Sequence, residues 1–563
     1  MTIAILGGGP TSLFLFKSLL DNAPEDLIIS IFEKGSQLGC GMPYGHDGAA
    51  DEHITNVSSN EIPDLITPLA DWVQGVSTDT LNKYHLSAEK FNEYKVLPRL
   101  LFGQYLCDQY KQLIKMAKTR GVETKVYYQS KVTDIVDHPE TGNVEVVISD
   151  TQYVFDKVVV CTGHFWPKHF EGDVPGWFDS PYPPEKIASG ANYPVAIRGA
   201  SLTAVDAVRT LARHNGRFEK DEKGLLHFFA NAESPDFRIV LHTRNGFLPA
   251  VRFHLEDSHL GKDSGLSPDK VAANRSANNG FLSLDYVFEE NFKAGIREHD
   301  PECYRQIKEM SMEEFVSHRM SLREESDPFD MLKAEYAEAE RSIARHRSVY
   351  WKEQLAILSF TMNYPAKYFS AEDWLRLEQT LMPLISVVIA FIPQSSAEML
   401  MALHEAGRLT MVTVGENSEP VPGRDGGVDY AGLHYPLFID CIGQPHLNFQ
   451  AIPFDGLKKS GSPARLRFLD ADKGQQLSSI HDKRIFTDKD GSYYLTVPGL
   501  AINDSFQLMD TYNGLNDRIY VMAVPFIGGF NPDYSGLDFG EAAAEKVAQA
   551  LLGTGIVKDK DIK

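Results

Sequence analysis

Ile3-Ala4-Ile5-Leu6-Gly7-Gly8-Gly9-Pro10-Thr11-Ser12 is the stretch that decides the fold. Four apolar residues run into a glycine turn, and beyond it Leu13, Phe14, Phe16, Leu19 and Leu20 recur at helical spacing, so the order is strand, turn, helix. Asp21 to Asp26 is a turn cluster, after which Leu27-Ile28-Ile29-Ser30-Ile31-Phe32 reads as a second strand ending at Glu33. One βαβ unit therefore occupies residues 3 to 33. Its turn reads G-x-G-x-x-S: Gly7 permits the tight bend, Gly9 lets backbone amides approach a pyrophosphate, and small Ser12 allows the helix to lie close on the strand. The helix N-terminus adds partial positive charge. Glu33, 26 residues after Gly7, stands where a carboxylate accepts bonds from both hydroxyls of an adenosine ribose. The plainer alternative is a glycine turn in an α/β domain that binds no nucleotide, and the acid at the end of the second strand argues against it.

A second unit begins at Val195-Ala196-Ile197 and continues through Gly199-Ala200-Ser201-Leu202-Thr203-Ala204 into a helix carrying Ala207, Val208 and Leu211. Ser201 and Ala204 stand where the second and third glycines would be, and both are small. The sequence is not a nucleophile elbow, which needs G-x-S-x-G, because Thr203 holds the last position. The partner strand Phe237-Arg238-Ile239-Val240-Leu241 ends in His242-Thr243-Arg244, and a guanidinium at that place pairs with the 2′-phosphate of NADP where an acid would favour NAD. A solvated Arg at a strand end is the bland alternative, and 45 residues is a long separation from Gly199. Between about 251 and 380 the strand signals fade, and Met331 to Arg345 carries alternating charges at helical spacing, which predicts a mainly helical insertion. Strand patterns are expected again at Leu384 to Phe391, Thr410 to Val414 and Pro436 to Ile442, with a helix over Ala397 to Ala406. A β-rich stretch from Lys483 to Val497, a strand at Arg518 to Val524 and a helix at Gly540 to Leu552 close the chain.

The 563 residues include 77 Asp and Glu against 55 Lys and Arg, a net charge of -22 that argues against a phosphate-backbone surface and hence against a nucleic-acid partner. The most apolar run, near Leu384 to Ile392, is about half of the ~20 residues a membrane-spanning helix needs. Thr2 leads straight into the first strand, with neither the basic residues nor the cleavage site of a secretory signal. Five cysteines, an odd number without any C-x-x-C pair, point to a reducing cytosol and to no disulfide framework. The expected location is cytoplasmic.

Val158-Val159-Val160-Cys161-Thr162-Gly163 and Leu437-Phe438-Ile439-Asp440-Cys441-Ile442-Gly443 are two buried-looking strands, each ended by glycine. With these the chain resembles two-dinucleotide-binding-domain flavoproteins, whose similar strands return the chain from one nucleotide domain to the other. The turn at Gly7 to Ser12, Phe32-Glu33-Lys34, Gly39-Cys40-Gly41-Met42-Pro43-Tyr44, Asn56-Val57, Leu97-Pro98-Arg99, Gly103-Gln104-Tyr105 and Cys161-Thr162-Gly163-His164 resemble the bacterial FAD-NAD(P)-binding family, which is similar to class B flavin monooxygenases and amino-acid N-hydroxylases. The resemblance, which spans most of the chain apart from the helical insertion, implies an α/β fold with two Rossmann-like dinucleotide-binding domains, one for FAD and one for NAD(P)H. The division it suggests is 1–190 for the first part of the FAD-binding domain, 191–250 for the first part of the NAD(P)-binding domain, 251–380 for the insertion, 381–435 for the second part of the NAD(P)-binding domain and 436–563 for the closing part of the FAD-binding domain.

On the same resemblance FAD lies against Gly7, Gly9, Pro10, Thr11 and Ser12 at its pyrophosphate, Glu33 and Lys34 at its ribose, and Gly41, Met42 and Asn56 along its ribityl chain and ring, with Arg99, Thr162 and Gly163 nearby. The backbone of Val132 meets adenine. Gly199, Ser201, Leu202, Thr203 and Arg244 would hold NADPH, or NADH. The late Gly-Asp pair that binds the ribityl chain in such proteins is missing, for Met522-Ala523-Val524-Pro525 stands there, although the turn from Gly536 to Gly540 can aim helix amides at the flavin.

Other constellations are weaker. His254, Glu256, Asp257 and His259 could be taken for metal ligands, but histidines five apart share no helix face, and no metal is expected. Cys161 and Cys441 lie in apolar strands as packed thiols. Arg341, Arg345 and Arg347 sit on a Glu-rich helix that solvates them. His164, after the Thr162-Gly163 turn, either faces the flavin or caps the turn. No protein nucleophile is evident, so no catalytic side chain is named. The expectation is an NAD(P)H-using FAD oxidoreductase, foremost a monooxygenase that hydroxylates a small molecule with dioxygen through a C4a-(hydro)peroxyflavin. The alternatives are a flavin dehydrogenase or reductase that passes electrons to an organic acceptor, and an FAD-stabilised scaffold or sensor that binds a protein. Composition and pattern leave oligomeric state open.

Overall fold

Parallel strands covered on both faces need near-continuous apolar runs, and the opening segment supplies one. The computed structural model describes residues 1–563 apart from 25, 93, 257–265, 416–417, 445, 534–535 and 554–563. β1 (Thr2–Leu6), α1 (Pro10–Asp21) and β2 (Ile28–Phe32) form the predicted βαβ unit. β3 (Ile54–Ser58), α2 (Arg99–Thr119), β4 (Glu123–Tyr127) and β5 (Lys157–Val160) follow. A six-stranded sheet runs in the order Gln507–Met509, Leu515–Val521, β5, β1, β2, β4, so the last strands of the chain return to complete the first domain. Ile3, Ile5, Leu6, Ile29, Val158 and Val160 are all fully buried in it. The closing helix Leu537–Leu552 packs on α1, with Gly540 facing Thr11 and Phe14.

β6 (Pro194–Arg198), α3 (Leu202–Asn215) and β7 (Arg238–Thr243) repeat the pattern. Then come the insertion, with α4 (Pro268–Ala277), α5 (Tyr350–Thr361) and α6 (Met382–Val388) among its helices, and β8 (Leu409–Thr413) and β9 (Leu437–Asp440). The second sheet has the order Trp177–Phe178, β9, β6, β7, β8, all parallel where β6 meets β7 and β9, and its core is separate from that of the first. β9 lies beside β6, so the second sheet extends beyond residue 435.

The strand expected at Leu384 to Phe391 is not formed. Residues 382–388 are helical, and the extended chain beyond contributes only a bridge between Ile392 and Val251. The apolar run by itself does not distinguish strand from buried helix. Here Leu384, Ile385 and Val388 join a third core with Phe288, Phe292, Phe315 and Leu355, all supplied by helices, and that packing selects the helix. The helical region therefore reaches residue 388.

Candidate functional site: two nucleotide crevices and their junction

In the first crevice Gly7 has φ +100°, its N–H donates to the Phe32 carbonyl at 2.8 Å, and a Cβ there would lie 2.6 Å from the Cys161 carbonyl oxygen. Strand, turn and return strand thus meet at a point only glycine can occupy. Gly9 is the N-cap of α1 and makes no side-chain cap, Pro10 occupies the first turn without an N–H to satisfy, and the amides of Thr11 and Ser12 have no intrahelical acceptor. Gly41, with φ +56°, faces Gly9 so closely that a Cβ on either would lie within about 3.4 Å of the other's Cα. Two glycine backbones facing each other at a helix N-terminus make a cradle that side chains would fill. The Ser12 hydroxyl is turned inward, donating to the Gly9 carbonyl at 2.9 Å and lying 3.2 Å from the Tyr110 hydroxyl, so its amide rather than its side chain is left for an anion.

Glu33 is buried, its two carboxylate oxygens accepting from the N–H of Gly8 at 2.7 Å and of Gly35 at 2.6 Å. Each oxygen has a further lone pair. The segment before Asp134 passes close by, with Ser130 donating to the Glu33 carbonyl, and Val132 lies half-buried within it. Lys34 is exposed. At the end of β5 the Thr162 hydroxyl is buried beside Gly7 and has no partner among the described residues, while Gly163 is exposed with open space around it. An orphaned hydroxyl and a glycine cradle beside free helix amides fit a dinucleotide. Met42 is half-buried next to Gly41, and Gly536 is the exposed N-cap of the closing helix.

The second crevice has the same backbone. Gly199 has φ +107°, its N–H donates to the His242 carbonyl at 2.8 Å, and a Cβ would lie 2.7 Å from the Cys441 carbonyl oxygen. Ser201 caps α3 with its backbone alone, so the first-turn amides that follow Leu202 and Thr203 have no side-chain acceptor. The matching bonds to Phe32 and His242 align Thr243 with Glu33 and Arg244 with Lys34. Thr243 accepts from the Gly246 N–H, and exposed Arg244 makes no ion pair with a described residue. No acid occupies the place that Glu33 holds in the first unit.

Between the crevices lies a buried polar junction that no local motif announces. Asp206, on α3, receives the Arg99 guanidinium at 2.5 Å and the Tyr182 hydroxyl at 2.6 Å. Burial works to raise the Asp206 carboxyl, but Arg99, His53 and Tyr182 outweigh it and hold it below the usual carboxylate range. His53, itself buried, accepts from the Ala50 N–H through Nδ1, so its Nε2 is free to donate to the Asp206 carbonyl at 3.2 Å. Arg99 is thus committed to the second domain and, through Nε, to the Ile54 carbonyl. Buried Arg252 and part-buried Glu61 form another pair across the domains. The two chain crossings are tied together as well: Phe165 donates its N–H to the Gln444 amide at 2.6 Å and accepts the return bond at 2.5 Å. Exposed His164 stacks on Trp166 at 5.4 Å, and partial desolvation, with Lys34 and Arg99 adding repulsion, lowers its pKa.

A cavity of about 810 Å³ opens between α4, α5 and the closing helix. Phe360, Pro365, Val271 and Ala542 give it apolar walls, Asp538 stands at its edge in the first turn after Gly536, and the Tyr364 hydroxyl on its lining is buried without a partner among the described residues. Burial pushes Cys161 and Cys441 up, as expected for packed thiols. Of the metal-like cluster, Asp257 and His259 lie outside the described residues, His254 contacts the rings of Tyr94 and His346, and Glu256 accepts from the Ser348 N–H and Tyr350 hydroxyl. No helix among the described residues is long and apolar enough to cross a membrane.

Two βαβ units with glycine turns on separate parallel sheets define a two-nucleotide α/β protein. Residues 4–165 match the FAD-NAD(P)-binding family, and residues 267–389 match the YdhS-like middle domain. A curated relative, "Uncharacterized protein YdhS" of Escherichia coli (strain K12), is 29% identical over 470 residues, covering 81% of this chain and 86% of its own. Among solved structures, the ornithine N-hydroxylase of Kutzneria sp. 744 is similar at 12% identity over 98% of both chains with a TM-score of 0.41. The FAD-bound cadaverine monooxygenase DfoA of Erwinia amylovora is similar at 10% identity over 98% of this chain and 94% of its own, with a TM-score of 0.43. These two likenesses are too distant to bring their activities with them. The N-terminal unit is an FAD-NAD(P)-binding domain, and the protein's cofactors are FAD and NAD(P).

Proposed function

We propose that the protein is an NAD(P)H-dependent flavin monooxygenase that hydroxylates a small molecule with dioxygen. The observation that carries this reading is the pair of matched glycine turns on two sheets whose domains are joined through Asp206 and Arg99. Bound FAD would supply the electron chemistry, taking two electrons from a nicotinamide and passing them to dioxygen. The amides of Gly9, Thr11 and Ser12, with the approach to Gly9 left open by Gly41, hold the diphosphate. Glu33 accepts the ribose hydroxyls, Lys34 stands outside it, and Thr162 offers its unpaired hydroxyl beside the turn. Gly41, Met42 and Asn56 line the way to the ring, and Gly536 caps the helix whose amides face it.

In the second crevice the amides after Ser201 hold the nicotinamide dinucleotide, and Arg244, with Thr243 replacing an acid, favours NADPH over NADH. The Phe165 to Gln444 tie fixes how the two crevices face each other. The cavity along the closing helix takes the small molecule.

Anaerobic mixing with NADPH, followed by isotopically labelled dioxygen and a panel of ketones, amines and sulfides, tests the reading. The flavin band is expected to bleach before oxygen is admitted, and the label to enter a product. Bleaching followed by hydrogen peroxide alone would replace the monooxygenase with a reductase, and no bleaching would remove the redox role.

A further inference from the structure

The segment that carries Asn56 is tied to its own domain at Ile54 and Thr55, and from Asn56 onward it is held by the second domain. β3 has one partner strand in the first domain, the three-residue Val96–Pro98, and their register slips between Ile54 and Ser58. Such a short, bulged pairing leaves the position of Asn56 weakly specified. The deficit is made up from across the junction. The Arg252 guanidinium donates to the Asn56 carbonyl, to the Ser58 hydroxyl at 2.9 Å and to the Glu61 carboxylate. Glu61 in turn accepts from the N–H and hydroxyl of Ser58 at 2.8 and 2.5 Å, closing the turn at the end of β3.

Arg252 is only 6% exposed and is itself anchored where the chain leaves the second sheet for the insertion and returns from it. Its N–H donates to the Ile392 carbonyl at 2.8 Å, its carbonyl accepts from the Gln394 side chain, and its guanidinium lies over the Phe391 ring at 5.2 Å. A planar fork of donors matches a carbonyl, a hydroxyl and a carboxylate together, which an ammonium does not. The guanidinium is therefore built into three parts of the chain at once.

We propose that Arg252 is a positioning residue for the flavin end of the first crevice: from the second domain it fixes the Asn56 carbonyl and the end of β3, and so presets the wall against which FAD binds. This rests on the reading of Asn56 as a flavin neighbour. An ordered wall reduces the ordering cost of binding, so loss of the fork weakens FAD without removing any group that touches it.

The test uses the full-length protein, FAD titrated by flavin fluorescence, and three variants. Glu61→Gln with Arg252→Met removes both charges of the pair together and keeps the fold from carrying an unpaired one. Its FAD affinity is expected to fall about tenfold, with a changed shape of the flavin absorption band, while NADPH affinity stays unchanged. Arg252→Lys is expected to fall between it and the parent. Arg209→Met serves as the structural control, since Arg209 crosses the same junction to the Glu52 carbonyl but does not reach Asn56, and its FAD affinity is expected to match the parent's. FAD affinity and spectrum unchanged in the double variant would overturn the proposal while leaving the flavoprotein intact. An equal loss in Arg209→Met would overturn it too, by showing a general effect of the junction. A parent protein that takes up no FAD would instead sink the functional reading on which the proposal stands.

Discussion

The two nucleotide units have one backbone and two chemistries. Gly7 and Gly199 share positive φ, the same bond to the neighbouring strand and the same contact with a returning carbonyl, and the N-caps Gly9 and Ser201 have φ -81° each with ψ of -167° and -169°. What differs is the decoration. The first turn ends against Gly41 and under a buried carboxylate; the second opens to solvent beside Arg244. Backbone geometry therefore states that a diphosphate can bind, and the residue after the second strand states which nucleotide carries it.

The largest expected effect breaks the link between the units. Asp206→Asn removes the partner of buried Arg99 and should cost about 4 kcal/mol in chemical denaturation. Because the Asp206 carboxyl is depressed in the folded protein, its stabilisation is present above the unfolded carboxylate value and is lost as pH falls through the folded one. The gap between parent and variant should accordingly narrow below about pH 4.

Next come the turns themselves. Gly7→Ala and Gly199→Ala each force a methyl against a carbonyl at positive φ, at a cost of about 2–3 kcal/mol. The first should abolish FAD uptake. The second should leave FAD bound but unreduced by NADPH, as followed by anaerobic absorbance. If both variants behave alike, the units do not bind separate nucleotides.

Much of this is legible in the sequence. The strand, turn and helix at Ile3 to Leu20 rest on local spacing, and the close approach of Gly7 to the strand after Val160 follows once both ends are recognised. The helix at Met382–Val388 was not legible, because Leu384 to Ile392 is apolar without a period and only contact with Phe288 and Phe292 decides its form. Nor were the junction residues. Arg99 and Asp206 are 107 positions apart, Glu61 and Arg252 are 191 apart, and an ion pair between distant segments leaves no mark in either one. The resemblance implies Arg99 near the cofactor, and its guanidinium is bonded to Asp206 of the second domain.

Two smaller effects sharpen the chemical difference. Glu33→Gln keeps the shape but cannot accept from Gly8 and Gly35 with both side-chain atoms, and FAD affinity should fall by about 2 kcal/mol in titration calorimetry. Arg244→Ala should weaken NADPH by about 1 kcal/mol and leave NADH unchanged in parallel titrations, as expected for one exposed cation meeting a 2′-phosphate. Equal loss for both nucleotides would assign Arg244 to the diphosphate instead.

The central claim is that the turn at Gly7 and the carboxylate of Glu33 hold FAD. Titrating the cofactor-stripped protein with FAD while recording fluorescence and visible absorbance tests it most directly. Saturation at one FAD per chain, lost in Gly7→Ala and kept in Gly199→Ala, is the predicted result. No uptake by the parent protein, or uptake unaffected by Gly7→Ala, would contradict it.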